Sequence, residues 1–439
     1  MDKNRIIVVG AGISGLLTSL ALAKEGRNVL VLEKSSDIGG VCRTYDVDGY
    51  QVDTGPHIIT RVENGPLREL MDMYFDVVPN FVPHGRYYVR LNNKVKPFPW
   101  NLQGWFNFDL IPPVDRLHLV SALFSISYLF KSGEDLSKKS VGDLIGNNLC
   151  DSTMRFLNCL SYFMTGTSMK ETPVQRFLDA QHYKSRSKNI LDKLYNVLMK
   201  EGATDQFYPK GGIQSITNSV LSSMPKGKVK IKTNEEVKSI EDSDGKKKIQ
   251  TTNGEYSAET VIYSGFASEL PGIIKELPEG YGDSLKESHR ADALTIWLGL
   301  NEQMFKRDGS EIWVDSDPYT WAVPVSNYDP SLAPKGKQLV GFAFRLPENY
   351  KPEKEKKRAL NAIFEVKPKL EERVDITHYQ ILVPEKAAWT INTKFTGIKT
   401  PVNGIYLVGT DTEKRSMGIT RASYSVLNLL SVLKEERVI

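Results

Sequence analysis

The chain has 439 residues, about three times the usual domain length of roughly 150 residues, so two or three domains or one large α/β unit are expected. Apolar residues make up 40% and charged residues 25%, which argues against an intrinsically disordered chain. Lys and Arg (57) nearly balance Asp and Glu (53), and the net charge of +4 excludes nucleic-acid binding through bulk positive charge.

Cysteine and histidine usage predicts neither a disulfide framework nor a metal site. Three cysteines lack metal-ligand spacing, and the histidines are scattered, so we expect no metal and a reducing, cytoplasmic location. The longest apolar-rich run, residues 117–130, is too short for a spanning helix of about 20 apolar residues. The first residues also lack the features of a signal peptide.

The first 33 residues carry a nucleotide-binding pattern. Residues 6–9 (IIVV) predict a buried parallel strand, and residues 10–15 (GAGISG) match G-x-G-x-x-G. Residues 16–24 have helical spacing of apolar side chains, and residues 29–32 predict a second strand that ends at Glu33. A glycine motif with both strands, the helix and the acid is a strong signal for dinucleotide binding.

Each part of this pattern has a physical role. Gly10 permits a tight turn, Gly12 lets the backbone approach a pyrophosphate, and Gly15 lets the helix pack close to the strand. The helix N-terminus favours the anionic phosphates. Glu33 can accept hydrogen bonds from a ribose diol, and its charge disfavours a 2′-phosphate.

The next two segments resemble a flavoprotein motif. Residues 35–44 (SSDIGGVCRT) and 48–57 (DGYQVDTGPH) resemble the extended FAD motif of the superfamily that includes protoporphyrinogen oxidase, phytoene desaturase and the amine oxidases. The resemblance places the glycine pair Gly39 and Gly40 close to the diphosphate. Many relatives have Arg directly after this pair, whereas this chain has Val41, so the resemblance assigns the charge to Arg43.

The resemblance continues along most of the chain. Residues 85–99 look like the hairpin that opens the substrate domain, and residues 208–216 look like the glycine pair before a helix. The resemblance implies that Val237 holds the adenine through its backbone and that Asp411 bonds the ribityl chain. A helix from about residue 418 to 433 should point its N-terminus at the flavin C2 carbonyl.

The implied architecture is α/β: an FAD-binding Rossmann-type domain (GR2-like flavoprotein) and an α+β substrate-binding domain. The FAD domain would comprise residues 1–83, 205–285 and 395–439, and the substrate domain residues 84–204 and 286–394. The residues that this resemblance implies in FAD binding are Gly10, Gly12, Ile13, Ser14, Gly15, Glu33, Lys34, Gly39, Gly40, Arg43, Thr54, Gly55, Pro56, His57, Val237, Gly409, Asp411, Gly418 and Ile419.

Four side chains are candidates for a catalytic or positioning role: His57, Arg86, Lys210 and Arg415. His57 follows the Asp-x-Gly segment and could approach the flavin or be structural. An Arg near the matching hairpin holds a substrate propionate in protoporphyrinogen oxidases, so Arg86 has either that role or a surface position. Arg415 could stabilise negative charge at the flavin N1–C2=O edge, face solvent or bind an acidic substrate group.

The sequence of the predicted substrate domain gives less information about the substrate. Residues 98–130 are rich in aromatic and apolar side chains, which are either core or a membrane-facing surface that draws in an apolar substrate. The motifs most resemble protoporphyrinogen oxidase and phytoene desaturase, which implies hydride transfer between a bulky porphyrinogen or isoprenoid substrate and flavin N5. No second dinucleotide motif is present, so oxygen, a quinone or a redox partner should accept the electrons.

Other functions stay open. An amine oxidase would need an aromatic cage, to which Trp389 or Tyr424 could contribute. A non-redox flavoenzyme such as UDP-galactopyranose mutase would need arginines for a diphosphate in a polar pocket. A non-catalytic FAD-binding scaffold is a further alternative.

Overall fold

The computed structural model describes residues 5–146, 148–181, 205–243, 245–287 and 290–439. Part of the predicted substrate domain, residues 182–204, therefore lies outside the described residues. Among the described residues, no helix is long and apolar enough to cross a membrane.

The strands, in chain order, are β1 (Arg5–Val9), β2 (Asn28–Leu32), β3 (Thr44–Val47), β4 (Tyr50–Asp53), β5 (Ile59–Thr60), β6 (Phe81–Pro83), β7 (Tyr87–Leu91), β8 (Lys94–Pro97), β9 (Gln206–Pro209), β10 (Val229–Lys232), β11 (Val237–Ser243), β12 (Lys246–Thr251), β13 (Glu255–Ala258), β14 (Thr260–Tyr263), β15 (Ala291–Leu300), β16 (Ser310–Trp313), β17 (Thr320–Val323), β18 (Gln338–Arg345), β19 (Val374–Glu385) and β20 (Ile405–Leu407).

The helices, in chain order, are α1 (Ile13–Lys24), α2 (Pro66–Tyr74), α3 (Leu102–Asn107), α4 (Pro113–Lys131), α5 (Val141–Ile145), α6 (Asp151–Thr165), α7 (Val174–Gln181), α8 (Gln214–Ser222), α9 (Glu279–Lys286), α10 (Pro352–Val366) and α11 (Gly418–Glu435).

A five-stranded parallel sheet forms the first layer, in the order β10-β2-β1-β14-β20. Alternate side chains of β1 enter different cores, as the two-residue period of a strand requires. Ile6 and Val8 pack with α1, α2 and α11, whereas Ile7 and Val9 pack toward the β11-β12-β13 meander. Burial on both faces explains the continuous apolar run. The predicted α/β Rossmann-type fold is confirmed.

A seven-stranded mixed sheet forms the second layer, in the order β19-β15-β18-β17-β16-β7-β8. Leu294, Ile296 and Leu298 of β15 share one core with α10. Ala293 and Thr295 point to the opposite face, which looks toward the first sheet. The predicted hairpin at residues 85–99 is present as β7 and β8, while the domain boundaries stay a prediction.

The aromatic segment 98–130 divides between core and surface. Phe98, Trp105 and Phe108 pack with α6 in a core of their own. Along α4, Val114, Leu117, Phe124 and Tyr128 are instead exposed and lie three to seven residues apart, so they share one face. Phe106 adds to this surface. The segment was expected to be either core or a membrane-facing surface, and neither of these expectations describes all of it.

His84 joins the small β5-β9-β6 sheet to the seven-stranded sheet. The residue follows β6 and is fully buried, and its Nε2 lies 2.9 Å from Ser310 Oγ on β16. Its ring also packs 4.5 Å from the ring of Tyr87. Burial lowers the pKa of His84 to about 3, although the nearby Asp308 carboxylate acts in the opposite direction.

Acidification should therefore destabilise the fold through His84. The unfolded chain binds a proton near pH 6.5 and the folded chain only near pH 3, so the free energy of unfolding should fall by about 1.4 kcal/mol per pH unit below about pH 6. Denaturant unfolding between pH 7 and pH 4.5 would measure this slope.

The variant H84Q should lose that part of the slope, whereas H118Q, at an exposed histidine, should keep it. The difference between the two variants isolates His84 from His57, whose pKa burial also lowers. Equal slopes in H84Q and the wild-type protein would contradict the assignment.

Candidate cofactor and substrate site

One cavity of about 660 Å³ lies between the carboxyl ends of the parallel strands and the inner face of the seven-stranded sheet. Open α/β sheets bind ligands at this edge. The predicted cofactor residues that line it are Gly10, Gly12, Ile13, Ser14, Glu33, Lys34, Gly40, Thr54, Gly55, Pro56, His57, Val237, Gly418 and Ile419. The structure therefore brings most of the predicted set to one place.

The glycine loop shows why each glycine is needed. Gly10 has a positive φ of 101°, which favours glycine. A Cβ on Gly15 would lie 2.1 Å from the Gly10 carbonyl oxygen, so any side chain there would clash with the backbone. Gly12 has φ −69°, and a Cβ there would meet no atom within 4 Å. The space beside Gly12 is therefore open and suits a phosphate at the N-terminus of α1.

Glu33 closes one end of the cavity. Its two carboxylate oxygens accept hydrogen bonds from the backbone N–H groups of Ala11 (2.6 Å) and Ser35 (2.9 Å). Each oxygen keeps a further lone pair for a ribose hydroxyl. Glu235 and Val237 line the same end, and the Glu235 N–H donates to the Glu33 carbonyl at 2.8 Å.

The glycine pair packs on the phosphate loop. The Gly39 N–H donates to the Ala11 carbonyl at 2.8 Å, and a Cβ on Gly40 would lie 3.2 Å from the Gly12 Cα. Arg43 is turned away from the cavity, with Nη1 at 3.1 Å from Asp37 Oδ2 and Nε donating to the Gly40 carbonyl. The position of Arg43 therefore does not support the contact with the cofactor that the resemblance implies.

A buried carboxylate holds the wall formed by residues 54–57. Asp53 is fully buried and accepts hydrogen bonds from the Thr44 hydroxyl (2.6 Å), the Tyr208 hydroxyl (2.7 Å) and the Ile213 N–H (3.0 Å). Gly55 donates its N–H to Gln380 Oε1 on β19 at 2.9 Å, which ties the wall to the seven-stranded sheet.

His57 lies in the same wall. Its Nε2 lies 2.9 Å from the Thr54 carbonyl oxygen, and burial lowers its pKa. Burial thus favours a neutral imidazole, which braces the wall through Thr54 and also lines the cavity.

The other three catalytic candidates lie outside the cavity lining, within the part of the chain that the structure describes. Arg86 and Lys210 are exposed. Arg415 pairs with Glu413 at 2.6 Å, and its guanidinium carbon lies 4.0 Å from the centre of the Tyr424 ring. The Arg415 side chain, for which a flavin-edge, a solvent-facing and a substrate-binding position were considered, is therefore in contact with Glu413 and Tyr424.

The predicted cofactor residues near the C-terminus also divide between the cavity lining and positions outside it. Gly418 and Ile419 begin α11 and line the cavity. Asp411 is buried outside the lining, where its Oδ2 accepts the Ala267 N–H at 2.8 Å, and a Cβ on Gly409 would lie 2.8 Å from Asp411 Oδ1. Gly409 and Asp411 lie in one turn, which is tied to the backbone of Ala267. These two residues therefore lie outside the cavity lining and support it.

Glu385, Lys386 and Arg421 are among the charged side chains at the cavity that sequence reasoning missed. Glu385, at the end of β19, accepts the Gly418 N–H and pairs with Arg421 Nη1 at 2.8 Å. Lys386 Nζ donates to the carbonyl oxygens of Ser264 and Gly265, both at 2.6 Å, and burial lowers its pKa. The only signal for Glu385 and Lys386 is an adjacent charged pair after a long strand, and it cannot be distinguished from a surface turn.

The remaining walls are chiefly aromatic and aliphatic. They come from β7, β16, β17, β18, α6 and the segment that follows β8. The apolar members of this wall are Tyr87, Phe98, Trp100, Leu160, Phe163, Ile312, Trp321 and Phe344. Trp389 also lines the cavity but Tyr424 does not, so this pair does not form an aromatic cage.

Comparison with known proteins places this geometry in context. A model of the NAD(P)-binding Rossmann-like domain matches residues 8–74. The chain is 50% identical over 101 residues to an uncharacterized protein in the nifH2 3′ region of Methanothermococcus thermolithotrophicus, which covers 23% of this chain and 97% of that protein. It is 24% identical over 380 residues to 4,4′-diapolycopen-4-al dehydrogenase of Metabacillus indicus, covering 76% of this chain and 73% of that enzyme.

These matches are consistent with the superfamily of flavin amine oxidases and desaturases. The chain is also 39% identical over 83 residues to all-trans-retinol 13,14-reductase of Macaca fascicularis; the match covers 19% of this chain but only 14% of that enzyme's length. Activity and substrate therefore do not carry over from that relative.

Several solved structures share the whole fold. An oxidoreductase from Methanosarcina mazei superposes with a TM-score of 0.80 at 21% identity, covering 97% of this chain and 100% of that one. A protein described as a protoporphyrinogen oxidase from Exiguobacterium sp. 255-15 gives 0.71 at 15% identity, covering 99% and 100%. Putrescine oxidase bound to putrescine gives 0.71 at 14% identity, covering 98% and 99%. At these identities the likeness concerns the fold.

Two alanine variants should separate the phosphate site from the fold. G12A should change the stability of the protein by no more than about 1 kcal/mol, because the added Cβ meets open space at an allowed φ. The same Cβ would occupy the phosphate position, so dinucleotide binding should weaken at least about tenfold, which corresponds to about 1.4 kcal/mol.

G15A is the matched control at the other end of the loop. Its Cβ would overlap the Gly10 carbonyl, so it should cost about 3 kcal/mol of stability. Thermal unfolding without cofactor and titration with FAD, NAD⁺ and NADP⁺ would measure both effects. Unchanged dinucleotide affinity in G12A would rule out this phosphate position.

Proposed function

We propose that the protein is an FAD-dependent oxidoreductase that transfers hydride between a bulky apolar substrate and the flavin. The observation that carries this proposal is the continuity of one cavity. Its one end has the glycine loop and Glu33, and its other walls are the aromatic and aliphatic side chains of the substrate sheet and α6. A two-domain arrangement of this kind brings a dinucleotide and an apolar molecule into one enclosed space.

The residues present fit FAD. Gly12 leaves open space beside the N-terminus of α1 for the diphosphate, and Glu33 with Val237 would hold the adenosine end. The wall of residues 54–57 and the first residues of α11 would flank the flavin end. When bound, FAD supplies the capacity to accept or donate a hydride.

The chain's own contribution is orientation and exclusion of water. The walls from Phe98, Trp100 and Trp321 present apolar surface to the substrate, so a polyene, an isoprenoid or a porphyrinogen would be desolvated on entry. The hydrogen bond from Gly55 to Gln380 fixes the cofactor wall against the substrate sheet. A rigid link between the two layers supports a constant distance between the reacting molecules.

The apolar wall and the names of the relatives support a proposal for the substrate class. Relatives of the chain are described as a retinol reductase and a diapolycopenal dehydrogenase, both of which act on isoprenoid molecules. We therefore place porphyrinogens and isoprenoids of the carotenoid type first. We assign oxygen, a quinone or a redox partner as electron acceptor, because the sequence carries one dinucleotide motif.

We further propose that the exposed face of α4 rests on a membrane surface. Val114, Leu117, Phe124 and Tyr128 form an apolar stripe beside Phe106, and α4 shares a hydrophobic core with α6, which lines the substrate end. Apolar side chains on one side of a surface helix can insert into the boundary between headgroups and acyl chains. An apolar substrate could then pass from the bilayer to the cavity.

The central test is spectroscopic. The purified protein, loaded with FAD and freed of excess cofactor, should retain a flavin absorption spectrum, and G12A should retain less flavin. Anaerobic mixing with protoporphyrinogen, phytoene or a saturated retinol in detergent should bleach the flavin band with one of these donors. Bleaching only by an amine would favour the amine oxidase alternative. Absence of flavin binding under every condition would overturn the proposal.

The membrane contact has a separate test. Wild-type protein should sediment with vesicles of phosphatidylcholine and phosphatidylglycerol, and the double variant L117S/F124S should lose at least about 90% of this binding, since each side chain contributes about 1.5–3 kcal/mol when buried. The control variant V77S/V78S changes two exposed apolar residues elsewhere and should bind as the wild type does. Equal loss in both variants would contradict a specific role of α4.

A further inference from the structure

Arg176 is a buried cation at the substrate end of the cavity. It lies on α7, lines the cavity and is only 3% exposed. Its Nε donates to the Met164 carbonyl oxygen near the end of α6 at 3.3 Å. Its Nη1 is buried and has no hydrogen-bond acceptor among the described residues. A guanidinium has five N–H donors, so most of its capacity is available at the cavity wall.

The carboxylate of Glu385, on the wall of the same cavity, is already engaged by other groups. Glu385 is close enough for the charge of Arg176 to lower its pKa, against the larger raising effect of burial. Its two oxygens, however, accept the Gly418 N–H and Arg421 Nη1. Asp179, three residues further along α7, raises the pKa of Arg415 through its charge. The carbonyl groups at the C-terminal end of α6 compensate the charge of Arg176 in part.

A second arginine in the cavity provides a contrast. Arg345 on β18 donates through Nε to the Gly166 carbonyl and through Nη1 to the Asp292 carbonyl, both at 2.7 Å. Its fork of donors is therefore used by the backbone. Arg176 makes one long hydrogen bond of this kind and keeps a buried donor without a partner.

The surroundings of Arg176 determine what could pair with it. Leu160, Phe163 and Trp389 line the same cavity, so a small hydrated anion would lose its water without gaining further polar partners. A carboxylate at the end of an apolar chain would satisfy both parts of the site. The carboxylate would accept a bidentate pair of hydrogen bonds, and the chain would cover the apolar wall.

We propose that Arg176 anchors the carboxylate of an apolar acid, so that the substrate is a carotenoid-type, retinoid or fatty acid rather than a neutral hydrocarbon. The proposal rests on the proposed function, because it uses the same cavity and names the class of substrate within it. It makes Arg176 a binding residue that sets specificity and not a group that takes part in redox chemistry.

Binding of matched ligands would test the anchor without any turnover. Retinoate, methyl retinoate and retinol share one apolar skeleton and differ in the charged end. Quenching of tryptophan fluorescence can report their binding, since Trp100, Trp321 and Trp389 line the cavity. Wild-type protein loaded with FAD should bind retinoate at least about tenfold more tightly than either neutral ligand. Linoleate and its methyl ester provide a second matched pair.

The variants separate anchoring from a structural role at the end of α6. R176M should abolish the preference for the acid and leave the affinity for methyl retinoate within about twofold, while R176K should keep an intermediate preference. The control R155M removes an arginine of α6 that donates to the Val314 carbonyl and lies outside the cavity lining, and it should keep the full preference. If R176M fails to fold, R176K and the wild-type acid-to-ester ratio still decide the matter.

Several outcomes would overturn the anchor while leaving the proposed function intact. Equal affinity for acid and ester in the wild-type protein would do so, as would an undiminished preference in R176M, or failure of every acid in the series to bind the FAD-loaded protein. A protein that binds no FAD would instead contradict the proposed function itself.

Discussion

The buried carboxylate of Asp53 is the interaction on which the arrangement of the cavity depends. It collects hydrogen bonds from Thr44 and from Tyr208 and Ile213, two residues that lie more than 150 positions further along the chain. Burial raises its pKa, and these three donors and the nearby His57 oppose that shift. Loss of one donor would leave a buried acceptor with fewer partners, which is costly in a low-dielectric interior.

This junction also explains how two separate layers come to share one cavity. The chain leaves Asp53 directly into the wall of residues 54–57, and Gly55 then reaches β19 through Gln380. Gln380 also donates to the Asp53 carbonyl oxygen at 3.0 Å. The cofactor side and the substrate side are therefore joined by hydrogen bonds of buried polar groups, in addition to the packing of apolar side chains.

Local sequence was sufficient for the nucleotide-binding half of the site. The strand, glycine loop, helix and acid lie within residues 5–33, and their steric demands are short-range, as Gly10 and Gly15 show. The positions of Arg43 and Arg415 were not predictable in the same way. A long cationic side chain can turn toward any nearby carboxylate. Arg43 pairs with Asp37, and Arg415 pairs with Glu413. Glu385, Lys386 and Arg421 meet only in the folded chain, so no spacing in the sequence reveals their association.

The order of the parallel strands has a consequence for how the protein is made. β1 pairs with β14, and β14 pairs with β20, which follows every strand of the seven-stranded sheet in the chain. During synthesis, the glycine loop therefore emerges long before the strands and the helix that complete its sheet and cover it. Non-local pairing of this kind is slow and leaves apolar strands exposed on the nascent chain. Capture of a dinucleotide must accordingly be a late event, and it would stabilise the finished sheet by mass action.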